Sequence, residues 1–221
     1  MKPGLPARPV IHVVDDDASM RQALARLLGA HGHEVRQYAS AGDFLLAWPV
    51  GEPGCLLLDV CMPGPSGLDL QVALASRPDA PPVVFVTGFG DIPMSVQAIQ
   101  RGAVDFLTKP VDQVALLSAV DRALQRDAAT RTEGRRQREV QESYASLTAR
   151  ERAVFAQVAE GRLNKQIAAS LSTCERTVKA HRAHVMEKMH ARSVAELVHL
   201  AIELEPQMQR REAPQPGLST A

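Results

Sequence analysis

Apolar residues along this chain keep two rhythms. In the first half, short continuous apolar runs alternate with stretches whose apolar positions recur every three or four residues. Val10 to Val14 is such a run, stopped by Asp15-Asp16-Asp17, and Ser19 then opens a helical stretch with Met20, Leu24, Leu27 and Leu28. A short strand around Val35 to Tyr38 comes next, then a helix from about Ala41 to Trp48 with Ser40 and Asp43 as a capping pair. The run Cys55-Leu56-Leu57-Leu58 delivers Asp59 and breaks at Pro63-Gly64, the pattern of a strand buried on both faces. A helix from about Gly67 to Ala75 follows, then a strand, Val83 to Val86, stopping at Thr87-Gly88. A helix from Pro93 to Arg101 is ended by Gly102, and a strand from Val104 to Leu107 stops at Thr108-Lys109-Pro110. An amphipathic helix from Val111 to Leu124 closes the series. Five strands alternating with five helices predict an α/β domain over 8–124, built on a five-stranded, doubly wound parallel sheet.

The rhythm changes after Leu124. From Gln125 to Ser143 the residues are mostly Arg, Glu, Gln, Thr and Ala, so 125–143 reads as a charged linker whose mixed charge favours a helix over a flexible tether. It holds no apolar heptad, which argues against a coiled coil. Thr148 and Glu151 then form a capping box that opens a helix to about Glu160, ended by Gly161. A second helix, Lys165 to Leu171, leads through Ser172-Thr173-Cys174 into a third, Glu175 to His190, and a fourth spans Val194 to about Leu204. Two helices across a tight turn, the later one basic, make a helix-turn-helix within a small all-α four-helix domain over 144–204. Pro206 to Ala221 lacks apolar periodicity, so 205–221 is expected to be a disordered tail.

Net charge over the 221 residues is zero, but it is unevenly spread. Residues 10–124 carry 7 Lys+Arg against 13 Asp+Glu, a net of −6, and residues 144–204 carry 9 against 6, a net of +3. The basic second part suits a polyanion. Three cysteines without CxxC or Cys/His ligand spacing argue against a disulfide framework or a zinc site and for a reducing compartment. With no membrane-length apolar run and no apolar signal core after Met1, a cytoplasmic location without membrane contact is expected.

Asp15, Asp16, Asp59, Thr87 and Lys109 all fall at the carboxyl ends of predicted strands, the edge where open α/β sheets bind ligands. Three gathered carboxylates repel unless a cation neutralises them, and an all-oxygen site with room for water is what Mg²⁺ prefers. Asp59 could then stay ionised as a nucleophile toward a phosphoryl group, with Lys109 and the Thr87 hydroxyl holding its oxygens. A helix-capping aspartate or a solvated lysine explains each residue singly; five at strand ends are harder to explain that way. In the third helix of the last domain, Val178, Val185 and Met189 share a core stripe. Arg176, Lys179, Ala180, Ala183 and Glu187 face the other way, toward a major groove, where Lys179 can reach a guanine edge and the alanines admit the backbone. Thr177, Arg182, His184 and Lys188 on the flanks suit phosphates, which position without specifying.

Residues 10–124 resemble the receiver domain of two-component response regulators. The resemblance rests on Val14-Asp15-Asp16-Asp17, the Asp59 strand with Met62-Pro63 and Ser66-Gly67, Thr87-Gly88, and Phe106-Leu107-Thr108-Lys109-Pro110. The run Gly88-Phe89-Gly90-Asp91-Ile92-Pro93-Met94 is similar to the FixJ branch. The last domain resembles the LuxR/NarL-type DNA-binding domain through Leu147-Thr148-x-Arg150-Glu151-Arg152, Gly161, Asn164-Lys165-Gln166-Ile167-Ala168, Thr177-Val178-Lys179-x-His181 and Lys188-Met189. These resemblances imply a flavodoxin-like receiver in which Asp59 takes phosphate from a sensor histidine kinase. Asp15, Asp16, Asp59 and the backbone carbonyl of Cys61 would hold Mg²⁺ (or Mn²⁺), Thr87 and Phe106 would act as a switch, and Lys109–Pro110 would be cis. They also imply promoter DNA bound through Lys165 and the third helix, and a homodimer when phosphorylated that spaces two such helices about 34 Å apart. RNA polymerase would be a further partner, and no enzymatic role would exist beyond the domain's own phosphoryl transfer and autodephosphorylation. Three departures stand out: Cys61 where the family often has a basic or amide side chain, Phe106 in place of Tyr, and Ser172-Thr173-Cys174 where the turn usually offers Gly, an aliphatic residue and a Ser or Thr cap. A thiol at a helix start can have a lowered pKa, which makes Cys174 a redox candidate.

Overall fold

The five apolar runs pair edge to edge. The computed structural model describes residues 8–48, 50–77, 79–88 and 92–212. Among them β1 (Val10–Val14), β2 (Glu34–Tyr38), β3 (Gly54–Leu58), β4 (Val83–Thr87) and β5 (Asp105–Thr108) form a parallel sheet in the order β2-β1-β3-β4-β5. Every residue of β1, β3 and β4 is buried, whereas β2 and β5 at the edges expose part of their length. Side chains alternate across the pleat and so feed two cores. Leu56, Leu58 and Phe85 pack with Phe44 of α2 (Ala41–Ala47), with Leu70 and Leu74 of α3 (Gly67–Ala75), and with Ala98 of α4 (Ile92–Gln100). Cys55, Leu57, Val84 and Val86 pack on the other face with Leu24 and Leu28 of α1 (Ala18–Ala30) and with Leu116 and Val120 of α5 (Gln113–Ala145). The doubly wound sheet read from the apolar pattern is therefore the one observed.

The expected end of this domain at Leu124 needs correction. Helix α5 runs on without a break through the charged stretch, and the chain divides into two units between Thr132 and Glu133. Two polar residues beyond Leu124 belong to the first unit. The carboxylate of Asp127, 5% exposed, accepts from the Gly54 N–H at 2.9 Å and from Arg131 Nε at 2.7 Å. Arg131 also donates to the backbone carbonyls of Gly51, at 2.8 Å, and Glu52. Apolar periodicity does not register anchors of this kind.

The second unit contains α6 (Ala149–Ala159), α7 (Asn164–Ser170), α8 (Glu175–Lys188) and α9 (Val194–Glu212). They enclose Leu147, Val154, Phe155, Val158, Ile167, Val178, Val185 and Leu197, and the last turns of α5 add Val140 and Tyr144. The Tyr144 and Phe155 rings lie 5.3 Å apart in an edge-on arrangement. The structured part of this unit thus starts ahead of residue 144. It also extends further at the other end: α9 continues to Glu212, so the expectation of disorder from 205 does not hold for 205–212, a stretch rich in residues that favour helices. The rest of the expected tail, 213–221, and Phe89, Gly90 and Asp91 of the FixJ-like run lie outside the described residues.

Truncating Asp127 to alanine leaves a buried amide and a guanidinium arm without their acceptor, which costs about 1–3 kcal/mol. Urea unfolding followed through the fluorescence of Trp48, the chain's sole tryptophan and a buried residue of this unit, checks the prediction. An unchanged midpoint would mean that the anchor contributes nothing.

Candidate functional site

Placing β1 beside β3 brings together the residues that follow them. The Asp59 N–H donates to the Val14 carbonyl at 2.9 Å, and the Lys109 N–H to the Thr87 carbonyl at 2.8 Å, so both ladders run one step past their strands. Asp15 and Asp59 are 2% and 5% exposed, Thr87 is fully buried, and Asp16 faces solvent. Lys109 Nζ lies 2.7 Å from Asp15 Oδ2 and 3.4 Å from Asp59 Oδ1. One carboxylate oxygen from each of Asp15, Asp16 and Asp59 falls within 4.8 Å of the others. The structure thus draws four of the five predicted residues into one cluster and sets Thr87 on the same sheet edge. Cys61 stands two residues past Asp59 and is exposed. Phe106 is half-buried on β5 with its ring 6.0 Å from that of Phe85, and the Lys109–Pro110 bond is cis.

Burial pushes the Asp59 carboxyl above its ordinary pKa; Lys109 opposes this, and the charges of Asp15 and Asp16 add to it. Burial also works against the charge of Lys109, but the hydrogen bond to Asp15 and the charges of Asp15 and Asp59 outweigh it and hold the ammonium pKa above normal. The donor set is all oxygen, and one member is open to water. That combination fits a hard divalent cation able to keep some of its water ligands.

Two supports of this cluster escaped the apolar pattern. Asp17, not Ser19, is the residue that begins α1: its carboxylate accepts from the Ser19 N–H at 2.8 Å and the Met20 N–H at 3.4 Å. Its own N–H donates to Asp15 Oδ1 at 2.9 Å, which orients that carboxylate within the cluster. The Asp-x-Ser spacing ahead of an apolar helix was the available signal. Gly67 starts α3 beneath the Asp59 loop, donating to the Val60 carbonyl at 3.0 Å, and a Cβ there would run into the Asp59 carbonyl.

In the second unit the helix wheel of α8 holds. Val178, Val185 and Met189 are buried, and Arg176, Lys179, Ala180, Ala183 and Glu187 are exposed, as are Lys165 and His184. The flanking residues Arg182 and Lys188 carry structural bonds besides. Arg182 donates to Asn164 Oδ1 at 3.0 Å, and Lys188 Nζ donates to Glu151 Oε2 at 2.7 Å. Glu151 also closes its capping box by accepting from the Thr148 N–H at 2.8 Å; the Lys188 and Thr148 bonds hold its carboxyl down to about 2. The turn before α8 has Ser172 at φ 50, a left-handed conformation that suits glycine better. Cys174 occupies the capping position but makes no side-chain bond to the helix backbone. Its sulfur lies 3.2 Å from Thr177 Oγ1, a contact that with nearby backbone amides lowers the thiol pKa.

With this geometry in hand, comparison with known proteins is specific. Residues 11–121 match the response regulator receiver domain, and residues 145–201 match the bacterial regulatory proteins of the luxR family. Nodulation protein W of Bradyrhizobium diazoefficiens is 44% identical over 194 residues, covering 88% of this chain and 86% of its own. The transcriptional regulatory protein FixJ of Azorhizobium caulinodans is 42% identical over 198 residues, covering 90% and 94%. Among solved structures, the response regulator StyR superposes with a TM-score of 0.81 at 44% identity, over 89% of this chain and all of its own.

A carboxyl whose folded pKa is raised contributes stability below its unfolded pKa and loses it as pH rises through the folded one. In metal-free buffer, Asp59→Asn should therefore stabilise the protein at neutral pH, and the advantage should shrink on acidification through that window. Urea midpoints of the two proteins across a pH series read this directly; a variant less stable at neutral pH would contradict it.

Proposed function

This chain belongs to the response regulators of two-component systems that join a receiver to a LuxR-type DNA-binding domain, and from that premise we propose that Asp59 is its phosphoacceptor. The observation that carries the reading is a nearly buried carboxylate flanked by two others and reached by the Lys109 ammonium. A histidine kinase is the partner a receiver implies, and DNA the partner a LuxR-type domain implies. An Asp59 oxygen attacks the phosphorus as its bond to the kinase imidazole breaks, and the electron pair stays on the imidazole. Mg²⁺ (or Mn²⁺), held by Asp15, Asp16, Asp59 and the Cys61 carbonyl, would screen the phosphoryl and carboxylate charges from each other. Lys109, freed from Asp15, pairs with a phosphoryl oxygen, and the Thr87 hydroxyl donates to another. Phe106 responds through packing alone, since it has no hydroxyl to bond. The exposed Cys61 side chain leaves attacking water little hindered, which favours rapid autodephosphorylation.

For the output, the exposed face of α8 enters the major groove with Arg176, Lys179, Ala180 and Ala183, and Thr177, Arg182, His184 and Lys165 reach the backbone. The Lys188–Glu151 pair makes Lys188 mainly an anchor of the recognition helix and secondarily a phosphate contact. Phosphorylation shifts a two-state equilibrium at Thr87 and Phe106 toward a homodimer, which binds promoter DNA and engages RNA polymerase in the cytoplasm. Among the described residues no helix is long and apolar enough to cross a membrane.

Asp59→Asn should abolish incorporation of phosphate from acetyl phosphate or from a phosphorylated kinase; label retained by that variant would refute the assignment. Replacing Lys179 by alanine should cost about 1–3 kcal/mol in affinity for the specific site and relax its sequence preference. For the unsubstituted protein, log affinity should fall linearly with log salt, by about 0.9 per phosphate contacted. Salt-independent binding in a fluorescence anisotropy titration would count against the groove-facing role of α8.

A further inference from the structure

We infer that the second unit carries a metal site of its own, for a borderline divalent ion of the Zn²⁺ class, between the start of α6 and the middle of α8. Its ligands are Glu151, His181 and His184. The histidines stand three residues apart, which puts both imidazoles on one face of α8, and that face meets Glu151 in the first turn of α6. One ligand atom from each of the three falls within 4.8 Å of the others. The cysteine spacing of the sequence argues against a thiolate site, and this donor set contains no thiol.

The carboxylate of Glu151 is nearly buried, and its two oxygens are used differently. The Thr148 N–H and the Lys188 ammonium both donate to Oε2, at 2.8 Å and 2.7 Å. Oε1 is the oxygen turned toward His184 Nδ1, 3.8 Å away, a separation too long for a hydrogen bond. Among the described residues neither His181 nor His184 is engaged in a hydrogen bond, so both rings have nitrogens to offer. The Lys188 and Thr148 bonds hold the Glu151 carboxyl down to about 2, which keeps it an anion wherever an imidazole is neutral enough to ligate.

Two imidazole nitrogens and one carboxylate oxygen form a zinc-type donor set that leaves a position for water. Mg²⁺ prefers oxygen ligands alone, so the chain's two clusters sort ions by ligand chemistry: carboxylates at the sheet edge of the first unit, imidazoles in the second. Ligands of one zinc ion lie about 3.3 Å apart, so the three must draw together. The His184 side chain is 60% exposed and can swing to close the gap. The Lys188 ammonium opposes a second cation, but its side chain is 36% exposed and can turn to water while the Thr148 N–H keeps Oε2 in place. A bound ion withdraws His184 from the DNA backbone.

Isothermal titration of the full-length protein with Zn²⁺, in excess Mg²⁺ so that the Asp15, Asp16 and Asp59 cluster does not compete, tests the site. Saturable binding of a single Zn²⁺ per chain is expected, and Mg²⁺ should not displace it. His181→Gln and His184→Gln should each weaken it by about tenfold or more. His199→Gln, which removes an exposed imidazole outside the cluster, should leave it unchanged. Circular dichroism shows each variant folded, and should His181→Gln fail to fold, His184→Gln, at the exposed ring, carries the test. With Cu²⁺ as the probe, electron paramagnetic resonance should show coupling to two nitrogens in the unsubstituted protein and to one in His184→Gln. No saturable Zn²⁺ binding, binding indifferent to the His184 substitution, or a Cu²⁺ spectrum without nitrogen coupling would overturn the proposal.

Discussion

The first unit is arranged around a concentration of negative charge that its own sheet creates. Pairing β1 with β3 sets the carboxylates of Asp15 and Asp59 side by side, nearly buried, and their repulsion must be offset from within the protein or by a bound cation. Within the protein the offset is Lys109, and Lys109 can reach only because β5 pairs with β4 and carries the chain to the same edge. Strand order, rather than any one side chain, therefore sets the electrostatics. Backbone bonds from Asp59 to Val14 and from Lys109 to Thr87 fix the members before any ligand arrives, so the cost of assembling like charges is met by folding itself.

The second unit solves a smaller version of the same problem with Glu151. One carboxylate closes the cap of α6 and also holds the far end of α8 through Lys188, with His184 Nδ1 3.8 Å away. At its near end α8 starts from a thiol that makes no backbone cap, after a serine in the left-handed region. Helix α8 thus has a side-chain anchor at its end and no side-chain cap at its beginning, where Arg176 and Lys179 lie.

How far the sequence could be read depended on the kind of interaction. Strands and most helix faces follow from apolar periodicity, and the carboxyl-edge location of Asp15, Asp59, Thr87 and Lys109 follows from strand ends alone. Supports made of single polar contacts left weaker traces. Asp17 is hard to recognise as a cap because it sits in an acidic triplet whose other members face the site, and Gly67 shows its need only once the Asp59 carbonyl is placed above it. The extension of α9 past Leu204 is hidden for a related reason: its later residues favour helix by propensity but offer no apolar stripe to announce it.

Helix α5 carries that lesson to the boundary between the units. Its residues after Leu124 have no continuous apolar face, and a solvated helix of that composition is marginal by itself. Tertiary anchors make up the difference: Asp127 and Arg131 in the first unit, and in the second Val140, Tyr144 and the Arg136–Glu203 pair at 2.8 Å. The first of these anchors grips a particular strand. The Gly54 N–H at the start of β3 is bonded to Asp127, and the same strand ends at Asp59. The strand that leads into Asp59 is therefore hydrogen-bonded, at its opposite end, to the helix by which the chain leaves the unit.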